Sequence, residues 1–554
     1  MEVSFEAALG DDGGFTPAGA IEPMGGGPMK RLGIAIVAAG LASFAHAADL
    51  PTTKAPENPK PNCFASFWDW LNASASDCPL SAYGITLYGT LDVNATYLHE
   101  GVDKSPAADK VNYSIQRNAT GSKWLAGYNG LSASVVGLKM KEDLARVGLP
   151  GWSLIGVLEA GVNPYSGMFA NGPRSLASNN ARPANTAPFQ NTNFDGSRAG
   201  QWDNSQGYLG ISNPVYGTLT FGRTNSLAFD VTSAYDPVAS TAFSSLGFSA
   251  AFSGFGTSPT VRPNTAFTYR LTYQNFRAAV QAQVGSYGIG NSSNGMYQGQ
   301  LGFDFGSLSL DGVLSWAKDA VSLSSFSGSN IACLTPANCF INVNNQFFDP
   351  NTVLKATLSN NLGGELVARY KLDPVPVTLY GGWIYARQMN PSDDFLTGFP
   401  TVAQGIFIPP GFVSKTGVPT NSAITANNFD IQKVLNTFWF GARWKIRSDL
   451  EAMGGFYYQS QNNFNPAACT GSGAFISSAK CGGSQTGLSF LLDWKPVKRV
   501  DIYAGVLLSN VYGGLANGFF STSTVFIPGT TTAISVNTAR TQNYDPTIGI
   551  RIRF

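Results

Sequence analysis

From Tyr83 to the C-terminus the dominant pattern is an alternation of apolar and polar residues with a period of two. In GITLYGTLDVNATYL (84–98), Ile85, Leu87, Leu91, Val93, Ala95 and Tyr97 fall on one face and Thr86, Tyr88, Thr90, Asp92, Asn94 and Thr96 on the other, because successive side chains of a strand point to opposite sides of the sheet. In QGQLGFDFGSLSLDGVLSW, Leu301, Phe303 and Phe305 alternate with Gln300, Gly302 and Asp304. A turn at Gly306-Ser307 then starts a second alternating run, so the segment reads as a hairpin. The chain ends on TIGIRIRF, with Ile548, Ile550, Ile552 and Phe554 on one side and Arg551 and Arg553 on the other. The same period predicts sixteen strands, near 84–98, 131–141, 152–161, 205–213, 216–223, 264–274, 276–285, 296–305, 307–317, 364–372, 375–387, 433–446, 449–460, 484–495, 499–510 and 546–554. No helix-length periodic segment stands out among them.

The connections sort into two kinds. Short turns at Gln274-Asn275, Gly306-Ser307, Arg447 to Asp449 and Lys495 to Arg499 alternate with long loops such as 318–363, 388–432 and 511–545. One rim of short turns and one of long loops, joined by strands of 9–11 residues or more, is the pattern of a transmembrane antiparallel β-barrel. An even count returns the last strand beside the first. Tyr97, Tyr269, Tyr273, Trp316, Trp383, Trp444, Trp494 and Phe554 are outward aromatics near strand ends and suit interfacial girdles.

Composition agrees with a wall that faces lipid. Of 554 residues 44% are hydrophobic but only 12% are charged, about half the roughly 25% of soluble domains. A net charge of +1 gives no basic footprint for nucleic acid. His46 and His99 are the only histidines, too few for a multi-histidine metal site or a paired-histidine acid–base device. Neither a phosphate-binding P-loop nor a dinucleotide-binding glycine pattern occurs. We therefore expect no enzyme, no catalytic residue, no metal and no cofactor.

Met29-Lys30-Arg31, the apolar run Leu32 to Phe44 and the small exit Ala45-His46-Ala47 form a secretory signal peptide, cleaved between Ala47 and Ala48. Residues 1–28 carry Glu2, Glu6, Asp11, Asp12 and Glu22, which a signal peptide does not normally have, so translation is expected to start at Met29. Removing residues 1–47 takes these five acids together with Lys30 and Arg31 and raises the net charge from +1 to +4. The six cysteines lie in neighbouring pairs, Cys63–Cys78, Cys333–Cys339 and Cys469–Cys481, which in an exported chain read as three loop-stapling disulfides. Residues 48–82 form a separate N-terminal piece. There Phe64, Phe67, Trp68 and Leu71 at helical spacing predict a short amphipathic helix closed by Cys63–Cys78 and leading into a barrel over 83–554.

ITLYGTLD, VGLKMKEDL, EAGVNPYSG, GYLGISNPVYGTLTFGRTNS and the terminal Phe554 together resemble the general porins of Gram-negative outer membranes. ADLP after the cleavage site and NCFASFWDWLN look like the α-proteobacterial branch. The resemblance implies a homotrimer of sixteen-stranded barrels in outer-membrane lipid, with the third long loop, here 224–262, folded into the lumen. It also implies a constriction in which Arg223 of FGRTN and Arg262 of RPNT face the loop's Asp230 and Asp236. Two features depart from the family pattern. Val135 stands where a further Arg is usual, and the loop's later half (STAFSSLGFSAAFSGFGTSPT) has no charge at all.

Strand parity places Lys139, Lys141, Arg270, Arg369, Lys371, Arg443, Lys445, Lys495, Arg551 and Arg553 on the inner wall, against Asp92, Glu159, Asp304, Asp311, Glu365, Glu451, Asp493 and Asp501. The expected function is passive diffusion of small hydrophilic solutes and ions through a water-filled outer-membrane pore, weakly selective and leaning toward anions. Two other readings stay open. One is a solute-specific channel using Phe229, Tyr235, Phe243, Phe248, Phe252 and Phe255 as a binding track; the other is a surface adhesin or structural barrel.

Overall fold

The first long strand is hydrogen-bonded along both edges, to the second strand on one side and the last on the other, so the sheet closes on itself. In the computed structural model the described residues are 63–100, 123–165, 167, 169, 205–248, 262–263, 265–284, 295–320, 341–343, 346–348, 359–390, 429–469, 481–516, 521–526, 533–538 and 540–554. The wall consists of β1 (Ile85–Glu100), β2 in two pieces (Lys123–Tyr128 and Val135–Asp143), β3 (Ser153–Gly161), β4 (Gly207–Asn213), β5 (Gly217–Arg223), β6 (Ala266–Tyr273), β7 (Phe276–Gln283) and β8 (Gly295–Phe305). It continues through β9 (Leu308–Ala320), β10 (Ser359–Leu372), β11 (Val377–Met389), β12 (Lys433–Arg447), β13 (Leu450–Gln461), β14 (Gly483–Val497), β15 (Val500–Gly513) and β16, again in two pieces (Arg540–Tyr544 and Thr547–Arg553). Each strand pairs antiparallel with its neighbours in sequence, and β16 pairs with β1. All-β architecture, closure and the count of sixteen agree with the alternation. A closed barrel leaves no unpaired edge, as a chain whose strands cross hydrocarbon requires.

The two faces differ as the alternation predicts. Leu301, Phe303 and Phe305, and across the hairpin Leu310, Leu314 and Trp316, are exposed on one side. Asp311, Ser315, Gln298 and Gln281 are buried on the other. Burying a large apolar side chain is worth about 1.5–3 kcal/mol, so an apolar face this extensive is sustained by lipid rather than water. The turn between β8 and β9 is tight because Gly306 takes φ 59°, a region open to glycine at little cost.

The strand ends depart from the sequence reading in three places. The second strand, expected as one run over 131–141, is interrupted at 129–134. There the Asp92 carboxylate accepts hydrogen bonds from the Leu131 and Ser132 amides at 2.7 and 3.1 Å, and Asn129 accepts one from the Ser134 amide. A local side-chain cap thus replaces the ladder. The last strand extends back to Arg540, interrupted around Pro546, and β10 begins at Ser359, because long strands run past the 9–11 residues or so that the membrane requires. A helix that no periodicity announced, α2 below, lies between β5 and β6.

Ahead of β1, the helix α1 (Phe67–Asn72) is N-capped by Ser66, whose hydroxyl accepts from the Asp69 amide at 3.1 Å. Leu80–Ala82 then pairs with Ile85–Leu87, continuing the line of β16 beyond Phe554. Cys63–Cys78 is closed, as is Cys469–Cys481. The amphipathic reading of this piece needs correction. Leu71 is buried, but Phe67 and Trp68 are 68% and 67% exposed and Phe64 is exposed as well. The docking is polar instead. Arg499, 1% exposed in the turn between β14 and β15, donates to the carbonyls of Trp70, Ser74 and Cys78 at 2.8, 3.2 and 2.7 Å, and its guanidinium lies 4.4 Å from the Trp70 ring centroid. The leader, the signal peptide with Ala47 and Ala48, and Cys333–Cys339 lie outside the described residues.

Candidate functional site

After β5 the chain leaves the wall and returns at β6. Ser226 caps the helix α2 (Leu227–Tyr235), its hydroxyl accepting from the Phe229 amide. The segment continues to a short 3-10 helix at Ser245–Phe248. Its backbone and side chains are fastened to a succession of wall residues that share the polar face. Gln298 of β8 accepts from the Leu227 and Ala228 amides at 2.7 and 3.3 Å. Tyr235 donates to Asp311 of β9 at 2.5 Å, and Thr232 donates to Glu365 of β10 at 2.7 Å. Trp439 of β12 donates its indole N–H to the Tyr235 carbonyl at 3.0 Å, and Arg443 donates to the Asp236 and Pro237 carbonyls, both at 2.6 Å. Ser489 of β14 donates to the Phe243 carbonyl.

Asp236 is the centre of this attachment. It is fully buried, receives the Tyr457 hydroxyl at 2.6 Å and the Ser240 amide at 2.7 Å, and so fixes both the segment's own turn and its distance from β13. Burial pushes the Asp236 carboxyl above the usual carboxylate range, against the opposing effect of donors from Tyr457, Ser244 and Ser240 and of the Arg443 charge. Pro237 approaches the wall where β12 and β13 both carry glycine. A Cβ added at Gly455 would meet Pro237 Cγ at 2.7 Å and the Tyr457 hydroxyl at 2.8 Å, closer than nonbonded carbon atoms come.

Three of the four expected constriction residues come together where the segment leaves and rejoins the wall. Arg223 donates to the Ser205 and Arg262 carbonyls at 3.1 and 2.8 Å. Arg262 donates to Asn225 at 2.9 Å and lies 5.5 Å from the Phe229 ring centroid. Asp230 receives Arg270 at 2.5 Å and the Asn225 amide at 2.8 Å. Arg223, Arg262, Asp230 and Arg270 thus form one cluster, whereas Asp236 lies apart from it against β12 and β13.

The remaining charges of the polar face are distributed unequally. Arg277 pairs with Asp304 and, at 2.9 Å, with Asp311. Asp501 takes Arg551 at 2.9 Å and Arg553 at 3.2 Å, and Asp493 takes Lys495 at 3.2 Å. Asp92 is buried, holding two amides and the Tyr503 hydroxyl at 2.6 Å. Glu365 is buried under Thr232. On the cationic side, Lys139 lies 5.6 Å from the Tyr88 ring centroid, and the Tyr88 hydroxyl goes to Glu159 at 2.9 Å. Lys139, Lys141, Arg369, Lys371, Arg443 and Lys445 enter no ion pair within 4.0 Å among the described residues.

Counting charges by parity overlooked Arg277 and every neutral fastening: Gln298, Trp439, Tyr457 and Ser489. The signal was present, since these residues share the parity of the counted charges, but uncharged residues on that face carried no weight in the reading.

A family model described as Gram-negative porin matches residues 34–510. Among solved structures the chain is similar to the anion-selective porin from Comamonas acidovorans, with 14% identity over 85% of this chain and 99% of that one and a TM-score of 0.48. It is similar too to OmpT, an outer membrane protein of Vibrio cholerae, with 12% identity over 86% of this chain and 99% of that one and a TM-score of 0.46. The outer membrane channel DcaP of Acinetobacter baumannii gives 12% identity over 86% of this chain and 99% of that one, with a TM-score of 0.45. No curated protein matches the sequence significantly. With alternation, closure and a match over most of its length in agreement, the chain belongs to the Gram-negative porin family, whose members are outer-membrane channels.

Proposed function

We propose that this outer-membrane channel is a diffusion pore weakly selective for anions, narrowed by the segment after β5, which folds into the lumen, and assembled as a homotrimer of the α-proteobacterial type. The family supports passive diffusion of small solutes. The selectivity rests on one observation: the carboxylates of the polar face are buried or paired, apart from Asp143, Glu159 and Glu451, whereas Lys139, Lys141, Lys371 and Lys445 are exposed and have no ion pair among the described residues. A cation facing water contributes its field to the permeating ions, while an acid neutralised by an arginine does not. The fastenings on β8, β9, β10, β12, β13 and β14 support the narrowing, since all sit on the polar face of a closed barrel.

Of the aromatic-track residues Tyr235 and Phe243 are buried against the wall, while Phe252 and Phe255 lie outside the described residues. Reconstitution in a planar bilayer under a KCl gradient tests the proposal. The expected result is a modest anion preference with closures in groups of three. A strong cation preference overturns the selectivity, and single closing steps overturn the trimer.

A further inference from the structure

Four of the unpaired cations stand together on three adjacent strands. Lys371 of β10 is directly opposite Thr378 of β11, which is opposite Arg443 of β12. One step up the wall, Arg369 is opposite Tyr380. Lys445 follows Arg443 on the same face, its amide bonded to the Pro376 carbonyl at 2.9 Å. Strand geometry puts neighbours on one face roughly 7 Å apart along a strand and roughly 10 Å apart across two strands. The patch is therefore about the size of one small multivalent anion.

None of these four cations forms an ion pair within 4.0 Å among the described residues, although the buried Asp236 lies beside Arg443. Arg369 rests 5.3 Å from the Tyr235 ring centroid, and its Nε is buried with no hydrogen-bond partner. Arg443 lies 4.8 Å from the Tyr380 ring centroid and spends two donors on segment carbonyls. Glu451 faces Lys445 in register without forming an ion pair, and Asp304 is already engaged by Arg277 and Ser309. Like charges gathered this closely repel one another unless an anion enters. Planar guanidinium groups at Arg369 and Arg443, flanked by flexible ammonium groups, match the several acceptor oxygens of a phosphate.

We propose that Arg369, Lys371, Arg443 and Lys445, with Thr378 and Tyr380 between them, form a binding subsite for solutes carrying a multiply charged phosphate group. The inference rests on the channel reading and names the solute class that this wall holds longest. It differs from a general anion preference because it is confined to β10–β12, whereas Lys139 and Lys141 stand on β2, six to eight strands away around a barrel of sixteen.

The test uses inorganic pyrophosphate on the full-length protein in two assays: block of the KCl current in a planar bilayer, and calorimetric binding to the folded protein in detergent. The expected result is saturable block and binding, both weakened about tenfold or more in Lys371→Gln/Lys445→Gln. Neither lysine side chain makes a hydrogen bond or ion pair among the described residues, and heat-modifiable migration confirms that the variant barrel is folded. Lys139→Gln/Lys141→Gln removes the same charge from the far wall and should leave both readings nearly unchanged. Equal weakening in the two variants would mean a diffuse field and overturns the subsite, as does absence of calorimetric binding. Pyrophosphate binding to a protein that conducts no ions would overturn the channel reading and leave the subsite standing.

Discussion

The Tyr457 hydroxyl reaches the buried carboxylate of Asp236 at 2.6 Å across 221 residues of sequence, tying the segment after β5 to the wall at β13. A hydrogen bond to a charged group is worth about 1.5–3 kcal/mol, and a water-filled lumen offers the carboxylate an alternative partner. In Tyr457→Phe the segment should leave the wall more readily, so single-channel recordings are expected to show more frequent brief closures with heat stability of the barrel little changed. Recordings indistinguishable from the parent would mean that Tyr457 does not hold the segment.

Asp236 gives that attachment a pH dependence with a definite sign. Because burial raises its pKa in the folded protein, the seating is strongest when the acid is protonated and weakens as pH rises from the ordinary carboxylate range near 4 through the raised value. Current noise should therefore grow with pH across that interval, with Arg443, Tyr457, Ser240 and Ser244 as the groups facing the acid. Asp236→Asn is expected to flatten the profile, and an unchanged profile in that variant refutes the assignment.

Gly455→Ala tests the approach of Pro237 to the wall. With the added Cβ 2.7 Å from Pro237 Cγ, the segment must shift away from β13, and with the segment in the lumen as proposed, conductance should fall measurably while the barrel still folds. An increase in conductance would show that the displaced segment swings clear of the lumen instead.

Replacing Lys139 and Lys141 by Glu reverses two charges that have no ion pair among the described residues. The reversal potential in a KCl gradient should move toward cation preference by several millivolts and the shift should shrink at high salt, where screening lengths fall to about 3 Å.

Arg499→Ala removes three donors from the carbonyls of Trp70, Ser74 and Cys78, at a cost of roughly 2–4 kcal/mol. Residues 63–82 should then become accessible to a protease added from the short-turn side, while channel conductance persists. Continued protection would place the attachment in Cys63–Cys78 and the Leu80–Ala82 ladder.

The wall was legible from sequence because one physical cause, lipid on one side and polar surroundings on the other, imprints every strand with the same period. The breaks were not legible. The interruption at 129–134 depends on Asp92, a single side chain competing with the ladder. In the helix α2, Leu227, Val231 and Tyr235 share one buried face with Ala228 and Thr232, but nine residues span too few turns for that period to stand out from the loop around it. Arg223 and Arg262 came from the family pattern and do lie together, but the difference between a paired acid such as Asp501 and an unpaired cation such as Lys371 is a matter of distance, which parity does not contain. The same holds for Arg499, a turn residue whose role depends on a helix more than four hundred positions earlier.

Closure of β16 onto β1 carries a consequence for how the protein is made. Thr96 and Thr547 share a hydrogen bond across 451 residues, so the first strand emerges during synthesis and export long before its partner exists. For that interval Leu91, Val93 and Ala95 present an apolar face together with an open backbone edge, the combination most prone to pairing with another nascent copy. That edge stays clear of other copies only while the early strands are shielded until the final residues arrive.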